Sequence, residues 1–344
     1  MSMSTIIGWD IGGAHLKAAL LRDGRIEAVE QLACPLWLGT EHLTQAWRAI
    51  VAALGTADSH AVTMTGELAE IFPDRRSGVA AICGAVSALA GEARPRFYAG
   101  ERGFLDAAGA AEGWRDVASA NWHASAACAA ACVPRALFID IGSTTTDIIP
   151  LAAGTPAMRG STDADRLRTG ELVYTGVMRT SLMALGGEAP FGGERQRLMA
   201  ENFATTADIY RLTGELAPDD DSYPASDGRS KSAADCRARI ARMFGRDAGD
   251  ASAQGWDGAA RLFRERQFQL LAEAVAQVLS ADGAGPDAPF IAAGAGHFLV
   301  PELARRFGRT ARSFGELVRA PDAVRRKAGV CAPAVAVALL AARV

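Results

Sequence analysis

The sequence predicts an α/β protein made of two duplicated lobes that face one another across a cleft. Three observations lead to this fold class. The chain has 344 residues, about twice the length that one hydrophobic core usually organises. A motif that contains Asp10 recurs 130 residues later at Asp140, and predicted strands and helices alternate around each copy. We therefore expect a first lobe over residues 1–134, a second lobe over residues 135–330, and a C-terminal helix over residues 331–344 that packs on the first lobe.

Composition places the chain among ordinary folded proteins. Apolar residues make up 49% and charged residues 22% of the sequence, which is close to average globular usage. The 36 basic and 39 acidic residues give a net charge of −3, so no large positive field attracts a nucleic acid or an anionic membrane. No stretch reaches the roughly 20 apolar residues of a membrane span. We expect neither nucleic acid nor membrane as a partner.

Cysteine usage indicates a reducing compartment. Six cysteines are scattered through the chain, and no apolar signal segment lies near Met1, which favours a cytoplasmic location over a secreted disulfide framework. Cys128 and Cys132 lie four residues apart and His123 lies about one turn earlier, so these three side chains could share a helix face as metal ligands. Because no fourth ligand is evident, buried small apolar side chains are the favoured interpretation of both cysteines.

The repeated motif is a strand that ends in the sequence Asp-Ile-Gly. Residues 7–21 read I-G-W-D-I-G-G-A-H-L-K-A-A-L-L (the first hairpin), and residues 137–151 read L-F-I-D-I-G-S-T-T-T-D-I-I-P-L (the second hairpin). In each copy small or hydroxyl residues separate two apolar runs, which predicts two strands joined by a tight turn. Glycine lets backbone N–H groups approach an anion, and hydroxyl groups add donors. One copy alone would be explained by a hairpin turn, but two copies at domain spacing indicate duplicated lobes.

The two turns are predicted to hold one diphosphate, with Asp10 and Asp140 facing each other across the cleft. The predicted diphosphate-binding residues are Asp10, Gly12, Gly13 and Lys17 in the first hairpin and Gly142, Ser143, Thr144 and Thr145 in the second. Where the first copy carries Lys17, the second carries Asp147, so a cation and a carboxylate lie on opposite walls. This arrangement suits a metal-bound phosphate ester, and we expect Mg²⁺ to be held through Asp10 and Asp140.

Hydrophobic periodicity places the remaining elements. In the first lobe we predict strands over residues 6–11, 16–21, 26–32, 60–64 and 96–99, and helices over residues 41–54, 78–90 and, in large part, 117–131. In the second lobe the predicted helices are residues 176–185, 193–202, 205–213, 233–244, 256–279 and 297–307, with a strand over residues 290–293.

Two further segments carry candidate sites. The turn at Gly294, Gly296 and His297 passes from a predicted strand into a predicted helix, which is a common place for a nucleotide base or phosphate to approach the backbone. Residues 218–232 (the acidic loop) contain four aspartates, Asp219, Asp220, Asp221 and Asp227. Their composition is typical of an exposed loop, although clustered carboxylates can also recruit Mg²⁺ that neutralises a leaving diphosphate.

Several motifs together resemble a known superfamily. The two hairpins and the Gly-Ala-Gly turn resemble the phosphate and adenosine motifs of the superfamily that unites actin, sugar kinases and heat-shock chaperones, whose lobes are ribonuclease H-like. The motifs T-G-E-L (65–68), S-A-N-W (119–122), G-E-L-V-Y-T-G (170–176) and E-N-F-A-T-T-A-D (201–208) resemble the hydantoinase/oxoprolinase-related branch. Within that branch the chain is similar to proteins of tetrahydromethanopterin-linked one-carbon metabolism, whose archaeal relatives are methanofuran synthases. The resemblance covers nearly the whole chain.

The resemblance implies a transferase that acts on small molecules. Such an enzyme joins an aminomethyl-furan methyl diphosphate to the phenolic oxygen of γ-glutamyltyramine, or of a tyrosine-derived acceptor, and releases pyrophosphate with formation of an aryl-alkyl ether. The frequent Ala, Gly and Arg residues suggest a bacterial owner, so the product would be methanofuran or a bacterial analogue. Mg²⁺ is expected, ATP is compatible but not required, and a homodimer is compatible. The alternatives are an ATP-dependent small-molecule kinase, a hydantoinase/oxoprolinase-type amidohydrolase, and a nucleotide-dependent scaffold or switch.

This chemistry needs charge neutralisation and a base. A furan ring stabilises positive charge on its attached methylene, so donors that neutralise the departing diphosphate do most of the work. The acceptor phenol, with an ordinary pKa of about 10, needs a base or a cation. The predicted catalytic residues are Asp140, Asp147, His123 and Glu171, and the predicted substrate pocket contains Thr65, Glu67, Asn121, Trp122 and Tyr174. Structural alternatives are a helix-start role for His123, a turn-capping role for Glu171, and core positions for Trp122 and Tyr174.

Overall fold

The computed structural model describes residues 5–281 and 285–344, and the chain divides into two compact units. Unit 1 contains the chain up to Ala136, then Leu151–Pro156 and Arg312–Val344, and unit 2 contains Leu137–Pro150 and Ala157–Ala311. The division differs from the predicted lobe boundaries chiefly after residue 311. Residues 312–330, expected in the second lobe, belong to unit 1 because they pack with the C-terminal helix and with the third strand of the chain.

Unit 1 is built on a six-stranded sheet. Its elements up to residue 136 are strands β1 (Thr5–Ile11), β2 (His15–Arg22), β3 (Arg25–Ala33), β4 (Ser59–Met64), β5 (Arg96–Tyr98) and β6 (Phe104–Leu105), and helices α1 (Glu41–Leu54), α2 (Arg75–Ala90), α3 (Ala107–Glu112), α4 (Trp114–Val117) and α5 (Asn121–Ala130). The strand order is β3-β2-β1-β4-β5-β6. The predicted strands and helices of this lobe are confirmed within a few residues, except that the predicted helix over 117–131 is interrupted at Ser119, whose φ is +53°.

The second sheet begins one residue before unit 2. The following elements are β7 (Ala136–Ile141), β8 (Thr146–Ala152), β9 (Thr155–Pro156), α6 (Asp163–Thr169), β10 (Leu172–Val173), β11 (Glu188–Phe191), β12 (Glu194–Arg197), α7 (Thr206–Thr213), α8 (Ala233–Met243), α9 (Ala253–Leu279), β13 (Phe290–Ala293), α10 (Val300–Arg306), β14 (Ala311–Ser313), α11 (Phe314–Leu317), α12 (Asp322–Val330) and α13 (Ala332–Ala341). The strand order is β10-β8-β7-β13-β14, and β9 pairs with β8.

The two sheets repeat one topology. In each, the strand that carries the motif aspartate lies between its hairpin partner and a later strand that runs parallel to it, β4 in the first case and β13 in the second. The hairpin turns also share a hydrogen bond at the repeat offset. The Gly12 N–H donates to the His15 carbonyl at 3.0 Å, and the Gly142 N–H donates to the Thr145 carbonyl at 2.8 Å. The predicted duplicated α/β fold is therefore confirmed.

Two predicted helices of the second lobe are wrong. Residues 176–185 form no helix beyond a short 3₁₀ turn at Leu182–Leu185, because the N–H groups of residues 177–179 donate to the second hairpin turn. Residues 193–202 begin instead as β12, which pairs antiparallel with β11. The connection contains Gly192 at φ +62° and Gly193 at φ +83°. Two adjacent glycines with positive φ are the preferred chemistry of a tight β-hairpin.

The two faces of β1 pack against different partners. On one face Trp9 stacks on Trp47 of α1 with ring centroids 3.6 Å apart, and its indole N–H donates to Nδ1 of His60 at 3.0 Å. On the other face Gly8 lies against α13, so closely that a Cβ would collide with the backbone of Ala334. Within the described part of the chain, no helix combines the length and the apolar character needed to cross a bilayer.

The buried His60 is expected to make unit 1 sensitive to acid. Burial lowers the pKa of His60 to about 4, whereas the unfolded chain takes up this proton near pH 6.5. The stability that neutral His60 contributes is complete above pH 6.5 and is lost as the pH falls towards 4, by about 3 kcal/mol in all. Urea unfolding at pH 7 and pH 4.5 measures this loss. His60→Gln retains an acceptor for Trp9 but does not titrate, so its free energy of unfolding should fall less between pH 7 and pH 4.5. An identical pH dependence in the wild type and the variant would contradict the assignment of this loss to His60.

Candidate functional site

The first hairpin presents a buried carboxylate at its turn. Asp10 is 3% exposed, and its Oδ2 accepts from Nζ of Lys17 at 3.3 Å. Its Oδ1 is buried and has no hydrogen-bond partner among the residues that the structure describes. Thr63 lies beside Asp10 in the β1–β4 register, and its hydroxyl oxygen is also buried without a partner in that part of the chain. Buried oxygens without a hydrogen-bond partner are rare in folded proteins, so these two neighbouring residues require an explanation.

The T-G-E-L motif lies on the first turn. The Thr65 N–H donates to the Ile11 carbonyl at 2.9 Å, and a Cβ on Gly66 would lie 3.1 Å from the same oxygen. Glu67 is 1% exposed and accepts from the Ser119 hydroxyl at 2.7 Å. Ser119 holds the uncommon φ of +53°, which costs energy in a residue other than glycine. The motifs over residues 65–68 and 119–122 therefore meet at this turn.

The N-terminal turn of α5 carries three of the predicted residues. Asn121 is half-buried, Trp122 is buried at 7% exposure, and its ring centroid lies 5.5 Å from that of His123. Nδ1 of His123 and the hydroxyl of Tyr98 are 2.8 Å apart. Burial raises the pKa of Tyr98, so this phenol stays protonated across the neutral range.

Cys128 lies in α5 and is buried, whereas Cys132 follows the end of the helix and is exposed, so the prediction of two buried cysteines is wrong for Cys132. Burial raises the pKa of Cys128 to about 12, which keeps it a thiol. Cys132 is exposed and its thiol donates to the Leu317 carbonyl at 3.6 Å. No group of three His, Cys, Asp or Glu side chains in metal-binding proximity occurs in the described ranges, 5–281 and 285–344. The interpretation of both cysteines as metal ligands therefore gains no support.

The second hairpin places Asp140 at the end of β7, where it is 8% exposed. The segment that follows the G-E-L-V-Y-T-G motif lies along its turn. The Val177 N–H donates to the Gly142 carbonyl at 3.0 Å, and the next two N–H groups donate to the Ser143 carbonyl at 3.1 and 2.9 Å. Gly176 approaches the turn so closely that a Cβ would collide with the backbone of Ser143. The glycine in this motif is therefore required by packing.

The second turn contains backbone donors that are not used within the backbone of the described residues. Residues 142–145 are all partly exposed, and the carbonyl oxygens of Gly142 and Ser143 accept from the neighbouring segment. The N–H groups of Ser143 and Thr144 have no backbone acceptor among the residues whose placement is described. Their hydroxyl oxygens lie 3.4 Å apart. Two N–H groups and two hydroxyls in one turn form a donor-rich cradle of the kind that binds phosphate.

The Gly-Ala-Gly turn borders the same carboxylate. Ala293 pairs with Asp140 in the β13–β7 register, so Gly294 follows directly beside the second turn. Gly294 has φ +80°, and a Cβ there would collide with Oδ1 of Asp140. The Gly296 N–H donates to the Ile141 carbonyl at 2.7 Å. This bond matches the one from Thr65 to Ile11 in unit 1, so the two motifs occupy equivalent positions. His297 turns back, with Nδ1 at 3.0 Å from the Gly294 carbonyl.

A buried polar network supports the second turn from α9, and sequence reasoning missed it. Gln267, which is 0% exposed, donates to the Thr175 hydroxyl and to the Gly176 carbonyl, both at 2.8 Å. Its amide oxygen accepts from the Tyr210 hydroxyl at 2.6 Å. One feature of the sequence could have indicated this network. Gln267 lies four residues after Phe263 and four before Leu271, so a polar side chain falls on the apolar face of a long predicted helix.

The other two predicted carboxylates are held by partners within unit 2. Asp147 accepts from Nη2 of Arg166 at 2.5 Å, and Arg166 is 1% exposed. Burial raises the pKa of Asp147, and the guanidinium offsets that effect only in part. Both carboxylate oxygens of Glu171 accept backbone N–H groups, from Arg159 at 2.7 Å and from Gly160 at 2.9 Å. Tyr174, by contrast, is 67% exposed.

Arginine and lysine neutralise the acidic loop. Asp221 accepts from two guanidinium nitrogens of Arg211 at 2.7 and 2.8 Å and lies 3.1 Å from Nζ of Lys231. Asp227 accepts from Arg239 at 3.0 Å. These partners lower the pKa of both aspartates against the opposing effect of burial. The loop is therefore not the simple exposed loop that its composition predicts, because it is held by these ion pairs. Two of its four carboxylates, which the alternative interpretation assigns to Mg²⁺, already bind arginine or lysine.

The predicted residues thus form separate groups. Unit 1 brings together Asp10, Gly12, Gly13, Lys17, Thr65 and Glu67 around the first turn, with Asn121, Trp122 and His123 on α5. Unit 2 brings together Asp140, Gly142, Ser143, Thr144 and Thr145 with Gly294, Gly296 and His297 around the second turn. Asp147 and Glu171 are joined instead through Arg166, which donates to the carboxylate of the first and to the backbone carbonyl of the second.

Comparison with known proteins identifies relatives over most of the chain. Residues 58–343 match the model of the hydantoinase/oxoprolinase family. The (4-{4-[2-(gamma-L-glutamylamino)ethyl]phenoxymethyl}furan-2-yl)methanamine synthase of Methanocaldococcus jannaschii is 30% identical over 240 residues, which are 70% of this chain and 71% of that protein. The protein of the same name from Methanococcus vannielii is 34% identical over 117 residues, 34% of this chain and 52% of that one.

Among solved structures, the nucleotide-free form of acetone carboxylase has a similar fold. The TM-score is 0.59 at 10% sequence identity, and the match covers 89% of this chain and 68% of that chain. At this identity the likeness concerns the fold alone.

Proposed function

The chain belongs to the hydantoinase/oxoprolinase family, and on that premise we propose that it is an enzyme that forms the ether bond of methanofuran or of a bacterial analogue. It condenses an aminomethyl-furan methyl diphosphate with the phenol oxygen of γ-glutamyltyramine or of a tyrosine-derived acceptor. The bond between the methylene carbon and the diphosphate oxygen breaks, the phenol oxygen bonds to that carbon and loses its proton, and pyrophosphate leaves. The observation that carries the proposal is the 240-residue similarity to the Methanocaldococcus jannaschii synthase.

The geometry of the second turn supports the departure of diphosphate. As the carbon–oxygen bond breaks, negative charge develops on the leaving oxygens, and the fixed donors of Ser143 and Thr144 are suited to stabilise it. Removing one such preorganised donor typically costs about 3 kcal/mol in the transition state. The segment 175–180 and Gln267 hold the turn in place, so the donors do not need to reorganise during the reaction.

His123 is the base that we favour for the phenol. Glu171 uses both of its carboxylate oxygens for backbone N–H groups, and Asp147 is engaged by Arg166. The Tyr98 hydroxyl lies 2.8 Å from Nδ1 of His123, and imidazole is the side chain whose ordinary pKa is closest to neutral. Tyr98 and the neighbouring Trp122 hold the ring in a single orientation.

The residues of the first hairpin fit a divalent cation. Oδ1 of Asp10 is a buried acceptor with no partner within the described residues, and a carboxylate oxygen is a preferred Mg²⁺ ligand. Asp140, the equivalent residue of the second hairpin, is the other candidate. Bound Mg²⁺ would neutralise charge on the diphosphate. Lys17 at 3.3 Å from Oδ2 of Asp10 contributes positive charge from the same hairpin.

Metal and pyrophosphate are expected to bind cooperatively. We expect Mg²⁺ to tighten pyrophosphate binding at least about 10-fold, because a shared cation neutralises both the phosphate and its carboxylate ligand. Titration calorimetry with and without Mg²⁺ measures this coupling. Asp10→Asn and Asp140→Asn each delete mainly charge, so the variant in which Mg²⁺ loses its effect identifies the ligand. Equal pyrophosphate affinity with and without Mg²⁺ in the wild type would remove the shared metal from the proposal.

The proposed reaction is tested directly by mass spectrometry. The enzyme is incubated with the furan diphosphate, γ-glutamyltyramine and Mg²⁺, and we expect an ether product and equimolar pyrophosphate. The second candidate is an ATP-dependent kinase or amidohydrolase. The observation that favours it is the close approach of the Gly-Ala-Gly turn, a candidate nucleotide-binding turn, to Asp140. Steady consumption of ATP without any furan substrate, together with no ether product, would transfer the assignment to that class.

A further inference from the structure

An exposed arginine stands beside the second turn. Arg179 belongs to the segment 175–180, in which every other residue is buried. Its backbone N–H donates to the Ser143 carbonyl at 2.9 Å, so its backbone is fixed directly against the turn. Thr180 anchors the next position, because its hydroxyl accepts from the Gly176 N–H at 2.8 Å. The backbone of Arg179 is therefore fixed at the edge of the donor-rich cradle, while its cationic side chain is exposed.

An aromatic ring of the acidic loop lies under this arginine. The Cζ atom of Arg179 is 5.9 Å from the centroid of the Tyr223 ring, within the range of a cation–π contact. Tyr223 follows Asp221 by two residues, and Asp221 is fixed by Arg211 and Lys231. The ion pairs of the acidic loop thus hold the backbone that presents the ring.

We propose that Arg179 binds the diphosphate group of the substrate and that Tyr223 positions its guanidinium. The inference rests on the proposed function, because it assigns diphosphate to the second turn. Backbone donors of Ser143 and Thr144 hold the phosphate oxygens, and the planar guanidinium adds two parallel charge-assisted bonds that an ammonium cannot match. The acidic loop then serves the reaction by supporting an arginine. The recognised chemistry is a diphosphate, which both a furan methyl diphosphate and a nucleotide contain.

Inorganic pyrophosphate is the probe for this assignment. Titration calorimetry in the presence of Mg²⁺ compares the wild type with Arg179→Gln and Arg179→Lys. We expect Arg179→Gln to weaken pyrophosphate binding about 10- to 100-fold, and Arg179→Lys to fall between the two because it retains charge without the planar fork. Arg246→Gln is the matched control. Arg246 is also an exposed arginine of unit 2 over an aromatic ring, with Cζ 5.5 Å from the centroid of Phe191, and its variant should keep wild-type affinity.

Tyr223 is tested as a positioning residue by steady-state kinetics. Tyr223→Leu removes the ring, and we expect KM for the furan diphosphate to rise several-fold while kcat changes little, because the guanidinium is still present but less well oriented. Tyr223→Phe retains the ring face and should restore the wild-type KM. A ring with a merely structural role would change thermal stability and leave the ratio of the two kinetic parameters unaltered.

The outcomes separate this inference from the proposed reaction. Wild-type pyrophosphate affinity in Arg179→Gln, or an equal loss in Arg246→Gln, overturns the assignment even where ether synthesis is intact. No binding of pyrophosphate by the wild type overturns it as well. If the wild type makes no ether but binds pyrophosphate in an Arg179-dependent manner, the proposed reaction fails and the diphosphate site stands. Competition by ADP in that case shows that the diphosphate recognised by Arg179 belongs to a nucleotide.

Discussion

Gly294→Ala is expected to lower ether synthesis about 100-fold. Its Cβ would collide with Oδ1 of Asp140 and with the Ile141 carbonyl, so either the carboxylate or the Gly-Ala-Gly turn must move. A displacement of about 1 Å in a catalytic group can cost about 10²-fold in rate. The φ of +80° at Gly294 adds backbone strain of about 1 to 2 kcal/mol for any residue with a Cβ. Steady-state assays of ether formation, with circular dichroism as a check on folding, measure the effect.

Gly308→Ala separates strain from collision. Gly308 has a similar φ of +67°, and a Cβ there would meet nothing within 4 Å. We expect this variant to lose about 1 kcal/mol of stability and to retain wild-type ether synthesis. If Gly308→Ala loses as much activity as Gly294→Ala, backbone strain alone explains the result. If Gly294→Ala keeps full activity in a folded protein, Asp140 is not held at a geometry that matters for the reaction.

Local sequence pattern accounts for the parts of the site that were predictable. The hairpins could be predicted because a strand ending in Asp-Ile-Gly depends only on neighbouring residues, and its recurrence at Asp140 removed the ambiguity of a single copy. Helix α1 has its predicted bounds because Leu43, Trp47 and Leu54 recur on one face and are all buried. The chain then leaves the helix at Gly55, where φ is +86°.

Contacts between residues far apart in sequence were not predictable. The segment 176–185 is apolar enough for a helix, but the N–H groups of residues 177–179 bond to the second turn, more than 30 residues earlier. Gln267 supports that turn from a position 92 residues after Thr175. The acidic loop has the composition of a solvated segment, and only the fold reveals that Arg211 and Arg239 neutralise it. Each of these depends on tertiary placement, which no local pattern encodes.

The pairing of Asp147 with Arg166 changes the expected effect of substituting Asp147, from a loss of catalysis to a loss of stability. The sequence favours Asp147 as a catalytic base because a carboxylate at the start of an apolar strand is costly unless it has a function. The structure supplies a different reason for its presence, since Arg166 is 1% exposed and needs an anion. Burial raises the pKa of Asp147 in spite of the guanidinium, which indicates that Arg166 does not fully offset the cost of removing the carboxylate charge from water.

Asp147→Asn is therefore expected to destabilise unit 2 by about 3 kcal/mol, because it leaves Arg166 as a buried charge without its carboxylate. The double variant Asp147→Leu with Arg166→Met removes both charges and should recover most of that loss. Urea unfolding of the three proteins measures the difference. Glu188→Gln is the matched control, because its pair with Arg195 is exposed on both sides and should contribute less than about 1 kcal/mol.

Product ratios decide whether Asp147 also acts on the phenol. A base contributes about 10²- to 10⁴-fold, so its loss would suppress ether formation while pyrophosphate is still released slowly to water. We expect instead that the folded double variant keeps the wild-type ratio of ether to pyrophosphate, because proton removal is assigned to His123. A folded double variant that releases pyrophosphate without forming ether would return the base role to Asp147. In that case Arg166 would be the residue that tunes the base.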